Sequence, residues 1–516
     1  MSFSKVYSAQ TQLLNVSTIS VETDLSRGLH AFAIVGLADK AVEEARDRVS
    51  AAIKNSGFTS PKSQNHKIVV SLAPADVKKE GTHFDLAIAL SYLMANDEIK
   101  FEAEGKIFLG ELSLDGKIRP MRGVLPIAQF AKEKKFKELY VPVDNILEAA
   151  LIEGINIFGV SSLKQVVEHL TEEELLDAAE PTVFKEEIII TPTDFADVRG
   201  QERAKRGLLI AAAGGHNVAM YGPPGTGKTM LAKAFAGILP PLTFDEALEA
   251  TGIHSVAGTL SGTLVAHPPF RAPHHTASYV SLVGGGATPR PGEITLAHHG
   301  VLFMDEFPEF ERRVIESLRQ PLEDKVIAVA RAKGTANFPA NVLLIAAMNP
   351  CPCGNYGFRG KPCVCTPSAL QRYRRKMSGP IVDRIDIWVE VDRILPHELS
   401  TDGVTGEESK VFKNKVNKAR KIQQERFSAK GGSASGRKNI TKNGEMSARE
   451  LVQLVHLEKE AEKILNLTAE RMGFSPRVYH RMIKVARTIA DLEESPIITA
   501  KHILEAVEYR PKKFDV

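Results

Sequence analysis

Short apolar runs alternate with amphipathic helical periods along the first 170 residues, a pattern that predicts an α+β domain. The predicted elements are strands at 31–35 and 67–72, helices at 39–54 and 83–94, and a hairpin from 107 to 114 with its turn at 115–116. The helix at 39–54 carries Val42, Val49 and Ile53 on one face, so this face should pack against the strands.

The apolar runs of the second part predict a buried parallel sheet with flanking helices. The predicted elements are strands at 216–221, 300–304, 341–347 and 381–391, helices at 202–213 and 230–236, and three helices within 446–510. An acidic stretch at 171–190 contains Pro181 and predicts a linker. We therefore expect a multidomain α/β protein with domains at 1–170 and 191–395, followed by a basic segment and an α-helical lid at 396–516.

Composition changes this picture little. The 516 residues exceed one compact core, 43% are hydrophobic and 25% charged, and the formal net charge is only +3. Whole-chain charge therefore indicates no particular partner. No apolar run approaches the roughly 18 residues that span a bilayer, and the amino terminus lacks the apolar core of a signal peptide. We expect a cytoplasmic protein without a membrane partner.

A glycine-rich segment lies between the strand at 216–221 and the helix at 230–236. It fits the phosphate-loop pattern G-x-x-x-x-G-K-[ST] at every fixed position, with residues Gly222, Pro223, Pro224, Gly225, Thr226, Gly227, Lys228 and Thr229. Small residues let backbone N–H groups face phosphate oxygens, while Lys228 would pair with the β- and γ-phosphates and Thr229 would ligate Mg²⁺. A chance match to a glycine-rich turn is the alternative, but both flanks suit the motif. The segment predicts binding of ATP with Mg²⁺.

Two later strand ends carry side chains that suit the same chemistry. The strand at 300–304, expected next to the phosphate-loop strand, ends in Asp305 and Glu306. Asp305 would reach Mg²⁺ through water, and Glu306 would orient and polarise the attacking water. Asn349 follows the strand at 341–347 and would hold that water or contact the γ-phosphate, unless it only forms the turn before Pro350.

The first domain resembles the proteolytic domain of Lon proteases at two segments, KEGTHFD (79–85) and GELSLDG (110–116). Lon-type peptidases place a nucleophilic Ser in the first segment and a partner Lys shortly beyond the second. Here His83 occupies the Ser position, and the Lys position falls in the apolar run 124–128. Without this dyad, acyl transfer has no route of this type, which indicates a role in assembly or partner binding.

Residues 381–391 resemble the L-L-D-R-[FI]-D segment of magnesium chelatase motor subunits and related AAA+ ATPases. The resemblance implies that Arg384 is an arginine finger for the nucleotide of a neighbouring subunit, and that Asn349 is the polar sensor of such proteins. The competing finger candidates are Arg372, Arg374 and Arg375.

A helix predicted from Ser475 onward resembles the sensor-2 helix of the chelatase-type lid. Ser475 suits the N-cap and Pro476 the first turn. The resemblance assigns Arg477 to the γ-phosphate, the alternative being a solvated surface residue.

A long polar insertion, which contains 267–276 and 284–292, separates the phosphate loop from Asp305. Its character matches the hairpins that chelatase-type AAA+ proteins direct toward a central pore. Two histidine pairs, His274 with His275 and His298 with His299, are metal-ligand types, but nothing in the sequence brings the pairs together.

All four cysteines form two C-x-C pairs: Cys351, Cys353, Cys363 and Cys365. Four thiolates can surround one tetrahedral Zn²⁺, and Gly354, Gly357 and Gly360 would allow the tight loop this needs. A redox-sensitive or merely unpaired cluster is the alternative.

Residues 412–444 carry ten Lys or Arg and one acidic residue, Glu425. Such a basic helix followed by a Gly/Ser-rich segment suits contact with a DNA backbone, although charge runs often only face solvent.

The whole chain resembles the ComM and YifB-like group of magnesium chelatase-like AAA+ ATPases. The resemblance rests on the two Lon-like segments and on the segments at 271–277, 348–354, 378–386 and 486–491. It implies a homo-hexameric ring that acts as a DNA helicase on single-stranded and branched DNA and promotes branch migration in recombination during natural transformation. A protein-remodelling ATPase and a chelatase-type motor subunit are the alternatives.

Overall fold

A computed structural model describes residues 3–12, 15–182, 193–286, 290–331, 334–357, 361–394, 408–428 and 440–511. The chain divides into two compact units, the first being Met1–Lys185 with Phe244–Val265 and the second Glu186–Thr243 with Ala266–Val516. Within the described ranges, no helix combines the length and apolar character needed to cross a bilayer. Helices and parallel strands occur in both units, which confirms the mixed α/β class.

The first unit is built on a four-stranded sheet and a three-stranded sheet, with a short two-stranded hairpin beside them. Its elements are β1 (Phe3–Gln12), β2 (Asn15–Arg27), β3 (Ala31–Val35), α1 (Lys40–Asn55), β4 (His66–Ala73), α2 (Asp85–Ala95), β5 (Lys106–Phe108), β6 (Glu111–Leu112), β7 (Ile118–Arg119), α3 (Val124–Glu133), β8 (Glu138–Pro142), α4 (Ile146–Ala149), β9 (Asn156–Val160) and α5 (Leu163–Leu170). One sheet has the order β1-β2-β4-β3 and the other the order β5-β8-β9. The helix predicted at 39–54 is α1, which begins where the Asp39 carboxylate accepts the Val42 N–H at 2.9 Å.

The predicted hairpin is only partly correct. Strands β6 and β7 pair around the turn at 115–116, but residues 106–108 form β5 of a different, parallel sheet. The long antiparallel pair β1 and β2 was not among the predicted elements, because the buried positions of β1 include the polar residues Ser4, Ser8 and Gln10 and no apolar alternation marks the strand.

The second unit contains most of the remaining elements. They are α6 (Glu202–Gly214), β10 (Val218–Tyr221), α7 (Lys228–Ile238), then α8 (Phe244–Ala257) of the first unit, β11 (Phe270–Arg271), α9 (Tyr279–Val283), β12 (Gly284–Gly285), β13 (Arg290–Pro291), α10 (Glu293–Leu296), β14 (Val301–Met304), α11 (Arg312–Ser317), α12 (Arg319–Asp324), β15 (Val326–Arg331), β16 (Gly334–Pro339), β17 (Leu343–Met348), α13 (Pro367–Arg374), α14 (Gly379–Val382), β18 (Ile387–Glu390), α15 (Glu408–Ser428), α16 (Ala448–Leu454), α17 (Lys459–Met472), α18 (Pro476–Leu492) and α19 (Ala500–Glu508). Helices α15 to α19 follow the sheet in sequence.

A five-stranded parallel sheet organises this unit, in the order β11-β14-β17-β10-β18. Alternate residues of each strand enter two separate cores, so Val218 and Met220 face one core, and Ala219 and Tyr221 the other. The expectation that the strand before Asp305 lies next to the phosphate-loop strand is wrong, because β17 lies between β14 and β10. The carboxyl ends of these three strands nevertheless meet at one sheet edge.

Two other predictions in the second unit need correction. Residues 381–391 do not form one strand, because Gly379–Val382 is a helical turn and β18 begins only at Ile387. Residues 446–510 contain four helices, α16 to α19, instead of three, since Val455 closes a short first helix. The predicted cap of α18 is confirmed, with Ser475 Oγ accepting the Val478 N–H at 3.3 Å.

Helix α8 lies in sequence between the phosphate loop and Asp305 but packs within the first unit. Its Ser255 hydroxyl accepts the Gly123 N–H at 2.9 Å and donates to the Glu148 carboxylate, while Leu248 packs against the core beside α3. Nothing in the polar pattern around residue 250 predicts this placement. Part of the long insertion is therefore a structural element of the first unit.

Candidate nucleotide-binding site

The phosphate loop at 222–229 joins the end of β10 to the start of α7. Gly225 and Gly227 have φ angles of +77° and +89°, which side chains with a Cβ rarely adopt. Gly222 is required for a different reason, because a Cβ there would lie 2.0 Å from the Val391 carbonyl oxygen. The Thr226 hydroxyl donates to the Pro223 carbonyl at 3.0 Å and closes the loop.

The Lys228 side chain lies inside the loop and is largely buried. Its ammonium donates to the carbonyl oxygens of Gly222 and Pro223, both at 2.8 Å, and reaches Asn349 Oδ1 at 3.4 Å. Burial lowers the pKa of Lys228 to about 8, although Asp305 acts to raise it. An ammonium that contacts only neutral carbonyl oxygens would form stronger, charge-assisted hydrogen bonds with an anionic phosphate.

We expect nucleotide affinity to fall as the pH rises through the Lys228 pKa. Because the pKa is lowered to about 8, free protein loses this proton above pH 8, whereas phosphate pairing needs the ammonium. Affinity should be about tenfold weaker at pH 9 than at pH 7. Titration with a fluorescent ATP analogue measures this change. Lys228→Arg, which keeps its charge, is the control, and a flat pH dependence in the unaltered chain would contradict the prediction.

The predicted magnesium ligands lie next to each other. Thr229 Oγ1 at the start of α7 donates to Asp305 Oδ2 at 2.9 Å, although β17 separates β10, which precedes the phosphate loop, from β14, which precedes Asp305. The other Asp305 oxygen accepts the Glu306 N–H at 2.9 Å. A hydroxyl and a carboxylate that meet at one sheet edge form part of the oxygen-rich ligand set that Mg²⁺ prefers.

The Glu306 carboxylate has a partner that the sequence did not identify. Glu306 adopts a left-handed backbone with φ of +51°, and its Oε2 lies 3.0 Å from Nδ1 of His275. The interaction restrains a carboxylate that remains about half exposed. His275 lies in the insertion noted for its histidines, but only the three-dimensional structure shows that it contacts Glu306.

Asn349 follows β17 and contacts the site from the middle of the sheet edge. Besides its contact with Lys228, its backbone carbonyl accepts the hydroxyl of buried Tyr373 from α13 at 3.0 Å. Burial raises the pKa of Tyr373, so the phenol stays protonated and able to donate. Tyr373 is a supporting residue that the sequence pattern did not reveal.

The two predicted catalytic arginines share one carboxylate. Buried Arg384 donates to Glu323 Oε2 at 2.5 Å and to the Pro380 carbonyl at 2.6 Å, and Arg477 pairs with Glu323 Oε1. Within the described part of the chain, these ion pairs lie with α12 and not with Asp305 or Glu306. Their roles as finger and sensor remain predictions.

The competing finger candidates lie on or just after α13. Arg372 and Arg375 are exposed, whereas the Arg374 guanidinium lies 5.2 Å from the centre of the Tyr356 ring. The exposed side chains of Arg372 and Arg375 are accessible at the surface of this chain.

The basic stretch splits into structural and exposed positions. On α15, Arg420 donates to the Ala212 carbonyl, and Arg426 pairs with Asp491 of the lid. Lys415 and Lys421 are exposed, whereas Val416 of the same helix is buried. Residues 429–439, which include the Gly/Ser-rich part, lie outside the described residues.

The structure brings all four cysteines together, with every pair of sulfur atoms within 4.8 Å. None of the four forms a disulfide. Gly354 and Gly357 have φ angles of +79° and +75°, as a tight loop requires, while Gly360 lies outside the described residues.

Comparison with known proteins gives matches along nearly the whole chain. Three family models match: magnesium chelatase, subunit ChlI (residues 194–399), subunit ChlI of Mg-chelatase (21–145), and magnesium chelatase, subunit ChlI C-terminal (406–510). The competence protein ComM of Haemophilus influenzae is 41% identical over 99% of this chain and 98% of its own length. The YifB protein of Escherichia coli is 41% identical over 99% and 97%, respectively. A more distant relative, the DNA replication licensing factor Mcm6 of Drosophila melanogaster, is 26% identical over 38% of this chain and 22% of its own.

Proposed function

Because the chain belongs to the ComM/YifB-like family of magnesium chelatase-like AAA+ proteins, we propose that it is an ATP-driven DNA motor. In this proposal a homo-hexamer acts as a helicase and promotes branch migration in homologous recombination during natural transformation. The observation that carries it is the meeting of Lys228, Asp305 and Asn349 at the carboxyl ends of three adjacent strands. This arrangement suits the hydrolysis of a nucleoside triphosphate.

Each residue of the site has a role in the proposed hydrolysis. The loop N–H groups and Lys228 would bind the phosphates, and Thr229 with Asp305 would hold Mg²⁺, which would neutralise charge on the phosphate oxygens. Once the Glu306 carboxylate has separated from His275, it accepts a proton from the attacking water. Asn349 orients the same water molecule.

Assembly into a ring would complete the site from a neighbouring subunit. We assign Arg384 as the arginine that crosses the interface and Arg477 as the γ-phosphate sensor in the same chain. Both arginines would have to separate from Glu323. The free energy of breaking these two ion pairs would have to be offset by binding of the nucleotide and of the neighbouring subunit. Such fingers contribute about 10³- to 10⁵-fold in rate in other NTPases.

The first unit has a supporting role in this proposal and no peptidase activity. Its predicted nucleophile position is His83, whose pKa burial lowers to about 4. The predicted Lys position falls among buried apolar residues of α3. The buried Ser91 hydroxyl bonds Thr23 at 2.7 Å and Ser4 at 2.9 Å within the core, so it has no access to a peptide substrate.

Two observations favour DNA as the polymer that is moved. Lys415 and Lys421 are exposed on α15 and present positive charge to solvent. Two of the relatives, ComM and Mcm6, are named for competence and for DNA replication, respectively. DNA contact by these lysines would be electrostatic and would depend little on base sequence.

The test compares ATP hydrolysis in the presence of branched DNA, single-stranded DNA and unfolded protein. We expect branched DNA to stimulate hydrolysis most. Lys415→Gln with Lys421→Gln should reduce the dependence of DNA affinity on salt by about two phosphate contacts. Lys459→Gln with Lys463→Gln, two exposed lysines of α17, is the matched control. Stimulation by unfolded protein and by neither DNA would instead favour a protein-remodelling ATPase.

A further inference from the structure

The cysteine loop, which we define as the described residues 351–357 and 361–365, has the sulfur geometry of a metal site. The sulfur of Cys351 lies 3.3 Å from that of Cys353 and 3.8 Å from that of Cys363, while the Cys353 and Cys363 sulfurs are 3.5 Å apart. The Cys365 sulfur lies within 4.8 Å of all three. Tetrahedral Zn²⁺ with bonds of about 2.3 Å places its sulfur ligands about 3.8 Å apart. The four cysteines are therefore already gathered as one zinc ion requires.

Backbone groups support the same arrangement. The Gly354 N–H donates to the Cys351 carbonyl at 2.9 Å, and the Tyr356 N–H points at the Cys351 sulfur from 3.3 Å. N–H groups aimed at a sulfur stabilise a thiolate, as is usual around structural metal ligands. Cys351 is fully buried, so its sulfur has this ordered surrounding and little water.

The cysteine loop packs directly against the candidate nucleotide site. Asn349 precedes its first cysteine by two residues. Gly354 lies so close to the phosphate loop that a Cβ there would be 2.5 Å from Cδ of Pro224. On the other side, α13 begins just after Cys365 and returns Tyr373 to the Asn349 carbonyl at 3.0 Å.

We propose that Cys351, Cys353, Cys363 and Cys365 bind one Zn²⁺, and that this ion positions Asn349 against the phosphate loop. The inference rests on the proposed ATPase function for its consequence, but not for the binding itself. Binding converts four thiols into thiolate ligands and releases their protons to water. The bound ion ties the end of β17 to the start of α13, so Asn349 is held from both sides.

The first test measures metal in the full-length chain. Unaltered protein and Val364→Ser should carry about one zinc per chain, since Val364 is 80% exposed within the same loop. Cys363→Ser should lose the zinc, and Cys363→His should keep it. Replacement by Co²⁺ should give the absorption of a tetrahedral thiolate site. Four titratable thiols without metal after incubation with zinc, or a disulfide, would overturn the proposal.

The second test asks what the ion does. Removing zinc by chelation should speed hydrogen exchange of the amides at 348–356 about tenfold, reversibly on adding zinc back. It should also lower kcat for ATP hydrolysis about 10- to 100-fold while changing KM less than about threefold, because binding depends on the phosphate loop. Unchanged exchange would overturn the positioning role. Measurements of metal content and of hydrogen exchange require neither DNA nor ATP. Their results therefore test the zinc proposal even if the proposed motor function is disproved.

Discussion

Replacing Glu306 with Gln should slow ATP hydrolysis about 10²- to 10⁴-fold, the range for loss of a general base. The amide keeps the size of the side chain but cannot accept a proton from water. Nucleotide should still bind, since Lys228 and the loop are unchanged. Phosphate release and retention of a fluorescent ATP analogue measure the two effects separately.

Glu309→Gln is the matched control for this variant. Glu309 lies three residues further on the chain, and its carboxylate forms an exposed pair with Lys376 at 2.7 Å. Exposed ion pairs contribute about 0–1 kcal/mol, so this variant should hydrolyse ATP normally. Normal hydrolysis by the Glu306 variant would show that another group activates the water.

Lys228→Ala is expected to weaken ATP binding about 10²-fold. The ammonium would make charged hydrogen bonds to phosphate oxygens, each worth about 1.5–3 kcal/mol, and a loss of about 3 kcal/mol is roughly 10²-fold in affinity. The fold should tolerate the change, because the variant removes a buried charge whose pKa is already lowered. Equilibrium binding of ATP with Mg²⁺ provides the measurement.

Lys233→Ala is the control for the loss of a lysine from the same helix, since Lys233 is exposed on α7. Its affinity for ATP should match that of the unaltered chain. Equal affinities for both variants would mean that the phosphates are bound elsewhere.

The local parts of the site were predictable from the sequence. Gly225 and Gly227 are needed for left-handed turns, and the apolar residues on both sides fix a strand and a helix by their own periodicity. The same logic placed Asp305 and Asn349 at strand ends. Site residues whose position depends only on neighbouring residues in the sequence can therefore be predicted without the structure.

Relations between distant segments were not predictable. The order of strands depends on which strand edges pair, and no residue pattern in β10 or β14 indicates that β17 lies between them. Glu323 on α12 carries no motif, yet it binds both Arg384 and Arg477. Helix α8 joins the first unit through Ser255 and Leu248, contacts that no local pattern encodes.

The left-handed backbone of Glu306 has a consequence for how this position evolves. A residue other than glycine at φ of +51° costs roughly 1 kcal/mol of folding stability. Glycine there would stabilise the fold and remove the carboxylate in one step. Selection for heat resistance alone would therefore favour glycine at this position, at the expense of the carboxylate that the proposed hydrolysis needs.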